Sequence, residues 1–160
     1  ELCEARPQKP GSEEYLDSEK YEIRRWDIAR TDSLKEFIGL INRIRRENSA
    51  LQHDASLRFH PVDNDQLIAY SKQSADVLNV ILVVLNLSPH HIHSGWIDLD
   101  LAALGLQPDR PFQVHDLLTH AYYQWQGPRN YVQIDPHSVP AQIFVVRRTM
   151  RREQDFDYFL

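Results

Sequence analysis

The sequence predicts an antiparallel β-sandwich preceded by a polar loop and one amphipathic helix. Three observations predict it. Beyond about residue 53 the chain breaks into short segments whose apolar residues alternate or run together, with turn residues between them at sandwich spacing. One segment, Val80-Ile-Leu-Val-Val-Leu85, is apolar on both faces and belongs in the middle of a layered structure. Ahead of these segments, Leu34, Phe37, Ile38, Ile41 and Ile44 recur with helical period.

Taken in order, residues 1–30 are polar, and Pro7, Pro10 and Gly11 break any regular element, so a loop is expected. Within it lies a dense run of charge and rings, Glu13-Glu-Tyr-Leu-Asp-Ser-Glu-Lys-Tyr-Glu-Ile-Arg-Arg-Trp-Asp27. A fold gains little by gathering so many ionisable groups, so the run reads as a polar site or a loop beside one. The helix starts at Thr31-Asp32-Ser33, where Ser33 and Glu36 have capping-box spacing. Arg43, Arg45 and Arg46 suit the negative end of its dipole, and Asn48-Ser49 ends it. Strands are expected over 57–60, 66–73, 77–87, 92–99, 112–117, 121–126, 131–135 and 141–147, giving seven or eight in all. The turns between them include Pro61-Val-Asp-Asn-Asp65, Ser74-Ala-Asp76, Gln107-Pro-Asp-Arg-Pro111, Gly127-Pro128 and Asp135-Pro136. The organisation is loop and helix over 1–52, β-sandwich over 53–148, and a tail over 149–160.

Size and charge narrow the function. A chain of 160 residues makes one domain with at most an appendage. Hydrophobic content of 42% and charged content of 26% are ordinary for a soluble globular protein. A net charge of -5 gives no electrostatic reason to expect nucleic acid or an anionic membrane as partner. The longest apolar stretch, 77–87, falls well short of the roughly 20 residues that span a bilayer. The lone Cys3 excludes an internal disulfide framework and suits a reducing cytoplasm. The opening Glu-Leu-Cys-Glu has no initiator Met and no signal-like stretch, so the chain reads as a fragment of something longer.

Several residue groups bear on chemistry. Glu13, Glu14, Asp17, Glu19 and Glu22 are expected to be solvated or paired with Lys20, Arg24 and Arg25. No catalytic carboxylate is assigned among them. His90-His91-Ile92-His93 invites a metal reading, but no Cys or acid flanks it at ligand spacing, so a surface turn is expected. Trp96, Trp125, Tyr122, Tyr123 and Tyr131 are candidates for a sugar-stacking platform, although rings at alternating positions of a β domain are usually core. Tyr123 and Trp125 share one strand face, as do Tyr122 and Gln124. The tail changes from basic to acidic-aromatic and ends in Phe156, Tyr158, Phe159 and Leu160, a docking element or a frayed terminus.

Ser18-Glu19-Lys20-Tyr21 resembles the motif that follows the last barrel strand in bacterial maltosyltransferases of the α-amylase superfamily. The resemblance extends to Phe37-Ile-Gly-Leu-Ile-Asn-Arg-Ile-Arg-Arg-Glu-Asn48, Leu57-Arg-Phe-His60, Asp63-Asn-Asp-Gln-Leu67, Asn86-Leu-Ser-Pro-His-His91 and Val114-His-Asp-Leu-Leu118, nearly the whole chain. The Glu-Lys-Tyr loop and the Asn-Asp-Gln segment are the more specific parts; the helix and the Asn-Leu-Ser-Pro turn occur widely in amylase relatives.

The resemblance implies that 1–52 is the end of a (β/α)8 catalytic barrel and that 53–148 is the β-sandwich called domain C. The apolar stripe of the helix would then face the barrel. It implies transfer of a maltosyl unit from α-maltose 1-phosphate to the non-reducing end of an α-1,4-glucan, by a retaining double displacement without a nucleotide cofactor, in a homodimeric cytoplasmic enzyme. Lys20 and Tyr21 correspond to the Lys-Tyr pair that contacts maltose 1-phosphate, the lysine as a compact counter-charge to the phosphate. Read without the motif, they are an exposed lysine in an ion pair beside a packed tyrosine. The catalytic carboxylates of the family lie on earlier barrel strands absent from this sequence, so the chain alone is expected to be inactive. A hydrolase or trehalose-forming relative, and a non-catalytic glucan-binding sandwich, are the alternatives.

Overall fold

A computed structural model describes residues 6–16, 27 and 29–148. They fall into two compact units, divided between Arg43 and Ile44. In the first unit a short loop is closed by a bridge between Pro7 and Tyr15. The Gln8 N–H donates to the Glu14 carbonyl at 2.8 Å, and the Leu16 N–H to that of Arg6 at 2.7 Å. Gly11, at φ 77°, supplies the left-handed residue this tight reversal needs.

Helix α1 (Lys35–Glu47) begins where the Ser33 Oγ accepts from the Lys35 N–H at 3.0 Å, as the cap residues predict. Arg45 and Arg46 occupy its last turn. The apolar stripe is divided: Leu34, Phe37 and Ile38 are exposed, whereas Ile44, where the second unit begins, is buried.

The second unit is the β-sandwich. Its strands are β1 (Arg58–His60), β2 (Leu67–Gln73), β3 (Val80–Asn86), β4 (His93–Asp98), β5 (Phe112–Asp116), β6 (Tyr122–Trp125), β7 (Arg129–Ile134) and β8 (Ala141–Arg148). Six form one sheet in the order β1-β2-β3-β8-β5-β6, and β4 pairs with β7 in a second. Every pairing is antiparallel. The core fills the space between the sheets: Leu82 and Val84 of β3, Ile97 of β4, Phe112 and Val114 of β5, and Phe144 of β8 are among its members. Leu99, Leu101, Leu104 and Leu106 of the β4–β5 connection join the same cluster. Register sets this pattern, because Leu82 lies opposite Phe144, and Val114 opposite Val146.

The other face of β3 is buried as well, through Ile81 and Val83. Ala50, fully buried in the 3-10 turn η1 (Ser49–Gln52), donates its N–H to Asn79 Oδ1 at 3.0 Å, and Asn79 Nδ2 donates to Asn48 Oδ1 at 2.9 Å. That layer is why β3 reads as a strand apolar on both sides. Beside it, the buried Lys72 of β2 runs its stem along the sheet and reaches Asp54 Oδ1 at 2.8 Å.

β3 starts at Val80, later than the sequence predicts, because Val77 sits at φ 57° in a turn. The Ser74 Oγ accepts from the Asn79 N–H at 3.0 Å and Asp76 Oδ1 from the Leu78 N–H at 3.1 Å, so local side chains outbid the β propensity of Val77.

Asp116 is fully buried and holds the end of β5. Its Oδ1 accepts from the Leu118 and Ile143 N–H groups at 3.1 and 3.2 Å, and its Oδ2 from the Thr119 hydroxyl at 2.6 Å. Asp116→Ala leaves these donors without their acceptor and is expected to cost about 3 kcal/mol. Urea unfolding checks this; a loss below about 1 kcal/mol contradicts the role assigned.

His60 is buried with Nε2 2.8 Å from the Ser71 Oγ. Desolvation first, and then the Arg58 charge, hold its pKa below the usual 6.5, with Asp100 opposing them. The unfolded chain therefore binds a proton near 6.5 that the folded chain refuses, and stability falls as pH drops through that value. The urea midpoint should decline between about pH 7.5 and pH 5.5, and decline less in His60→Gln.

Candidate functional site

Lys20 and Tyr21 lie outside the described residues, as do Cys3, Asp17, Glu19, Glu22, Arg24, Arg25 and the tail over 149–160. Of the loop carboxylates within the description, Glu13 and Glu14 are exposed, in keeping with the solvated reading. Near the helix start, Arg30 forms a bidentate pair with Asp32, at 2.8 and 2.6 Å, and this hydrogen bonding holds the Asp32 carboxyl below the usual range.

The five candidate rings separate by environment. Trp125 is core, edge-on to Phe112 and Phe144. Tyr122 stacks flat on His115, with centroids 4.1 Å apart and planes within 2°. Trp96 meets Tyr131, its cross-strand neighbour, at 5.5 Å, while the Arg129 guanidinium sits 5.7 Å from the Trp96 ring centre. Tyr122 and Trp96 each set one ring face against a protein partner while keeping 55% and 43% of their surface open. Tyr123, edge-on to Phe144, and Tyr131 keep 41% and 48%, and it is these two that border one cleft.

That cleft, of about 300 Å³, opens between β6, β7 and β8 and is lined by Tyr123, Trp125, Tyr131, Val132, Gln133, Gln142 and Phe144. Alternation along β8 places Gln142 on the inward face with Phe144 and Val146, and that of β6 places Tyr123 inward with Trp125. Both break the apolar, closed pattern of the inner face. The Gln142 side-chain oxygen is shielded from solvent and has no hydrogen-bond partner. Tyr123 and Tyr131 were legible in the sequence as candidate rings. Gln133 and Gln142 were not singled out, although a lone amide at an inward position of a strand is itself a signal.

A polar seam joins the two sheets beside Trp96. Val62 bridges to Ile97, the Asp63 N–H donates to the Trp96 carbonyl at 3.2 Å, and the Asp98 N–H donates to the Pro61 carbonyl at 2.9 Å. Asp63 Oδ1 accepts from the Trp96 N–H at 2.6 Å, Asp63 Oδ2 from Arg129 at 3.1 Å, and Asn64 Nδ2 donates to the Ser94 carbonyl at 2.9 Å. The segment 61–65, expected only as a turn, is therefore also the clasp between sheets.

His90 and His91 are exposed in the connection from β3 to β4, where a turn was expected. Among the described residues no group of three or more His, Cys, Asp or Glu side chains could hold a metal ion.

Comparison with known proteins adds three findings. Residues 59–146 match the family described as "GLGE, C-terminal". The chain is 47% identical over 150 residues to an alpha-1,4-glucan:maltose-1-phosphate maltosyltransferase of Corynebacterium glutamicum, covering 91% of this chain and 22% of that one. It is 38% identical over 159 residues to the protein of the same name from Myxococcus xanthus, covering 99% and 24% respectively. The chain thus spans about a fifth to a quarter of the length of these relatives. Among solved structures it is similar to an Anoxybacillus alpha-amylase, with a TM-score of 0.57 and 11% identity over 81% of this chain and 25% of that one. A maltogenic alpha-amylase, AmyB from Thermotoga neapolitana, gives 0.57 and 13% over 77% and 28%. These structural likenesses identify the sandwich as the amylase type.

Gly95 lies where the seam is tightest: a Cβ there would meet Asp63 Oδ1 at 2.9 Å, Asn64 Cβ at 3.2 Å and Val62 Cγ1 at 3.3 Å. Gly95→Ala is expected to destabilise the chain by about 1–3 kcal/mol, read as a lowered unfolding midpoint. An unchanged midpoint would show that the seam yields freely.

Proposed function

Because the chain belongs to the GLGE C-terminal family, we propose that it is the carboxyl-terminal part of an α-1,4-glucan:maltose-1-phosphate maltosyltransferase, and that its early loop supplies part of the donor-phosphate site. The observation that carries this reading is identity of 38–47% to proteins of that name across 90–99% of the chain. The helix followed by an amylase-type sandwich supports it.

In this reading the parent enzyme moves a maltosyl unit from α-maltose 1-phosphate to the non-reducing end of an α-1,4-glucan, as in glycogen synthesis. The bond from the anomeric carbon to the phosphate oxygen breaks, an enzyme carboxylate takes the maltosyl group, and phosphate departs. A glucan hydroxyl then takes the group from the carboxylate and gives up its proton to the acid/base. Both carboxyl groups belong to the upstream barrel, so this chain contributes no catalytic carboxylate and is inactive alone.

Lys20 has the role of counter-charge. The departing phosphate gains charge as its bond breaks, and an ammonium held beside it stabilises the transition state more than the ground state. Tyr21 donates a hydrogen bond to a sugar hydroxyl or a phosphate oxygen. Binding of the donor requires no metal or nucleotide. In this reading the parent is a cytoplasmic homodimer whose partners are the sugar donor and the glucan, not nucleic acid or membrane.

Phosphate release from maltose 1-phosphate plus glycogen, assayed with the full-length parent, tests the activity; release of glucose or trehalose instead would place the parent among hydrolases or trehalose-forming enzymes. Lys20→Ala in that enzyme should weaken donor affinity about tenfold or more, the size of a lost charge-assisted hydrogen bond. An affinity within about twofold of the parent's removes Lys20 from the site.

A further inference from the structure

The geometry points to a saccharide-binding site in the cleft between β6, β7 and β8, suited to a short stretch of neutral glucan chain. Three observations carry it. The lining residues Tyr123, Trp125, Tyr131, Val132, Gln133, Gln142 and Phe144 include no charged side chain, so an anionic or cationic ligand would go unmatched. Two tyrosine rings border the cleft with 41% and 48% of their surface open, and flat rings cover the apolar faces of pyranoses while their hydroxyls stay wet. Two carboxamides, Gln133 and Gln142, complete the lining, and the Gln142 oxygen has no partner within the protein. An amide offers both a donor and an acceptor, the pair that vicinal sugar hydroxyls require, and its two ends exchange by a half-turn.

The position of Gln142 makes the case sharper. Its register neighbour is Val84, and the residues sharing its face along β8 are the core residues Phe144 and Val146. An apolar residue there would remove a buried oxygen left without a hydrogen bond, which costs stability. Gln73 Oε1 and His115 Nδ1 are likewise buried without a partner, but of the three only Gln142 lines the cleft, where a ligand that satisfies its amide would explain retaining it. The cleft also lies where β6 and β7, each paired on one side only, pass from one sheet to the other through residues 126–128. Unpaired edge groups of those strands are further hydrogen-bonding partners for hydroxyls. A volume of about 300 Å³ is at the lower end for small-molecule sites, which fits a few sugar rings seated partly in solvent. That the saccharide is an α-1,4-glucan rests on the maltosyltransferase reading; that it is a saccharide does not.

Calorimetric titration of the 160-residue chain with maltoheptaose, alongside β-linked cellohexaose, tests the site. Maltoheptaose should bind with a Kd of roughly 0.1–5 mM, and Tyr123→Ala and Tyr131→Ala should each weaken it about fivefold or more. Gln142→Met separates binding from folding: it should unfold at the same or a higher temperature than the parent chain, yet bind at least about threefold more weakly. No heat with maltoheptaose up to about 10 mM, or binding unchanged by Gln142→Met, overturns the site while leaving phosphate release by the parent enzyme untouched. Equal binding of cellohexaose overturns the α-glucan assignment, and does so whatever the cleft variants show.

Discussion

The sandwich depends on one short segment meeting one strand. Its two sheets share no strand, and residues 61–64 clasp β4 through backbone and side-chain hydrogen bonds from Pro61, Asp63 and Asn64. Apolar burial pulls the sheets together but has no direction, so it cannot fix how one lies over the other. The clasp can, because hydrogen bonds have narrow geometry and each group here would lose water without replacement if displaced. Asp63 contributes twice, through the Trp96 N–H and through the Arg129 guanidinium that covers the Trp96 ring. Position 95 therefore has room for hydrogen alone.

The same logic recurs at the other buried polar groups. Asn86 is buried at the end of β3, yet its Nδ2 donates to the His91 and Ile134 carbonyls at 2.9 and 3.1 Å, joining β3 to β7. Asp116 gathers donors from the turn after β5 and from β8. Asn48 and Asn79 tie the helix end and η1 to the outer face. Each satisfied polar group fixes a place that packing alone would leave adjustable. Gln142 differs from these, as do Gln73 and His115, in holding a buried polar atom without a partner, and of the three it is the one that lines the cleft.

Most of the architecture was legible because strands advertise themselves locally. Alternation and turn residues located all eight strands, and the run from Val80 to Leu85 identified the doubly buried one. The turn at Val77 was not legible, since its cause is hydrogen bonding by Ser74 and Asp76, which propensity does not weigh. The turn η1 and the burial of Lys72 were equally hidden, both arising from segments that meet only in the fold. The cleft shows the limit most clearly. Sequence named five rings, but that Arg129 lies over Trp96, that His115 stacks on Tyr122, and that Tyr123 and Tyr131 border the cleft depends on pairing between strands. The donor-loop residues Lys20 and Tyr21 rest on motif resemblance, outside the described residues.

The strand order has a consequence for how the chain is made. Of the strands described, β8 is the last to be synthesised, yet it sits between β3 and β5 in the sheet. Until it arrives, β1 to β3 and β5 to β6 are two incomplete ribbons, and β3, apolar throughout except for Asn86, has a bare edge. Closure of this sheet therefore waits for β8, with pairings that span some 60 residues between β3 and β8, and a chain ending before residue 141 would be a sticky product.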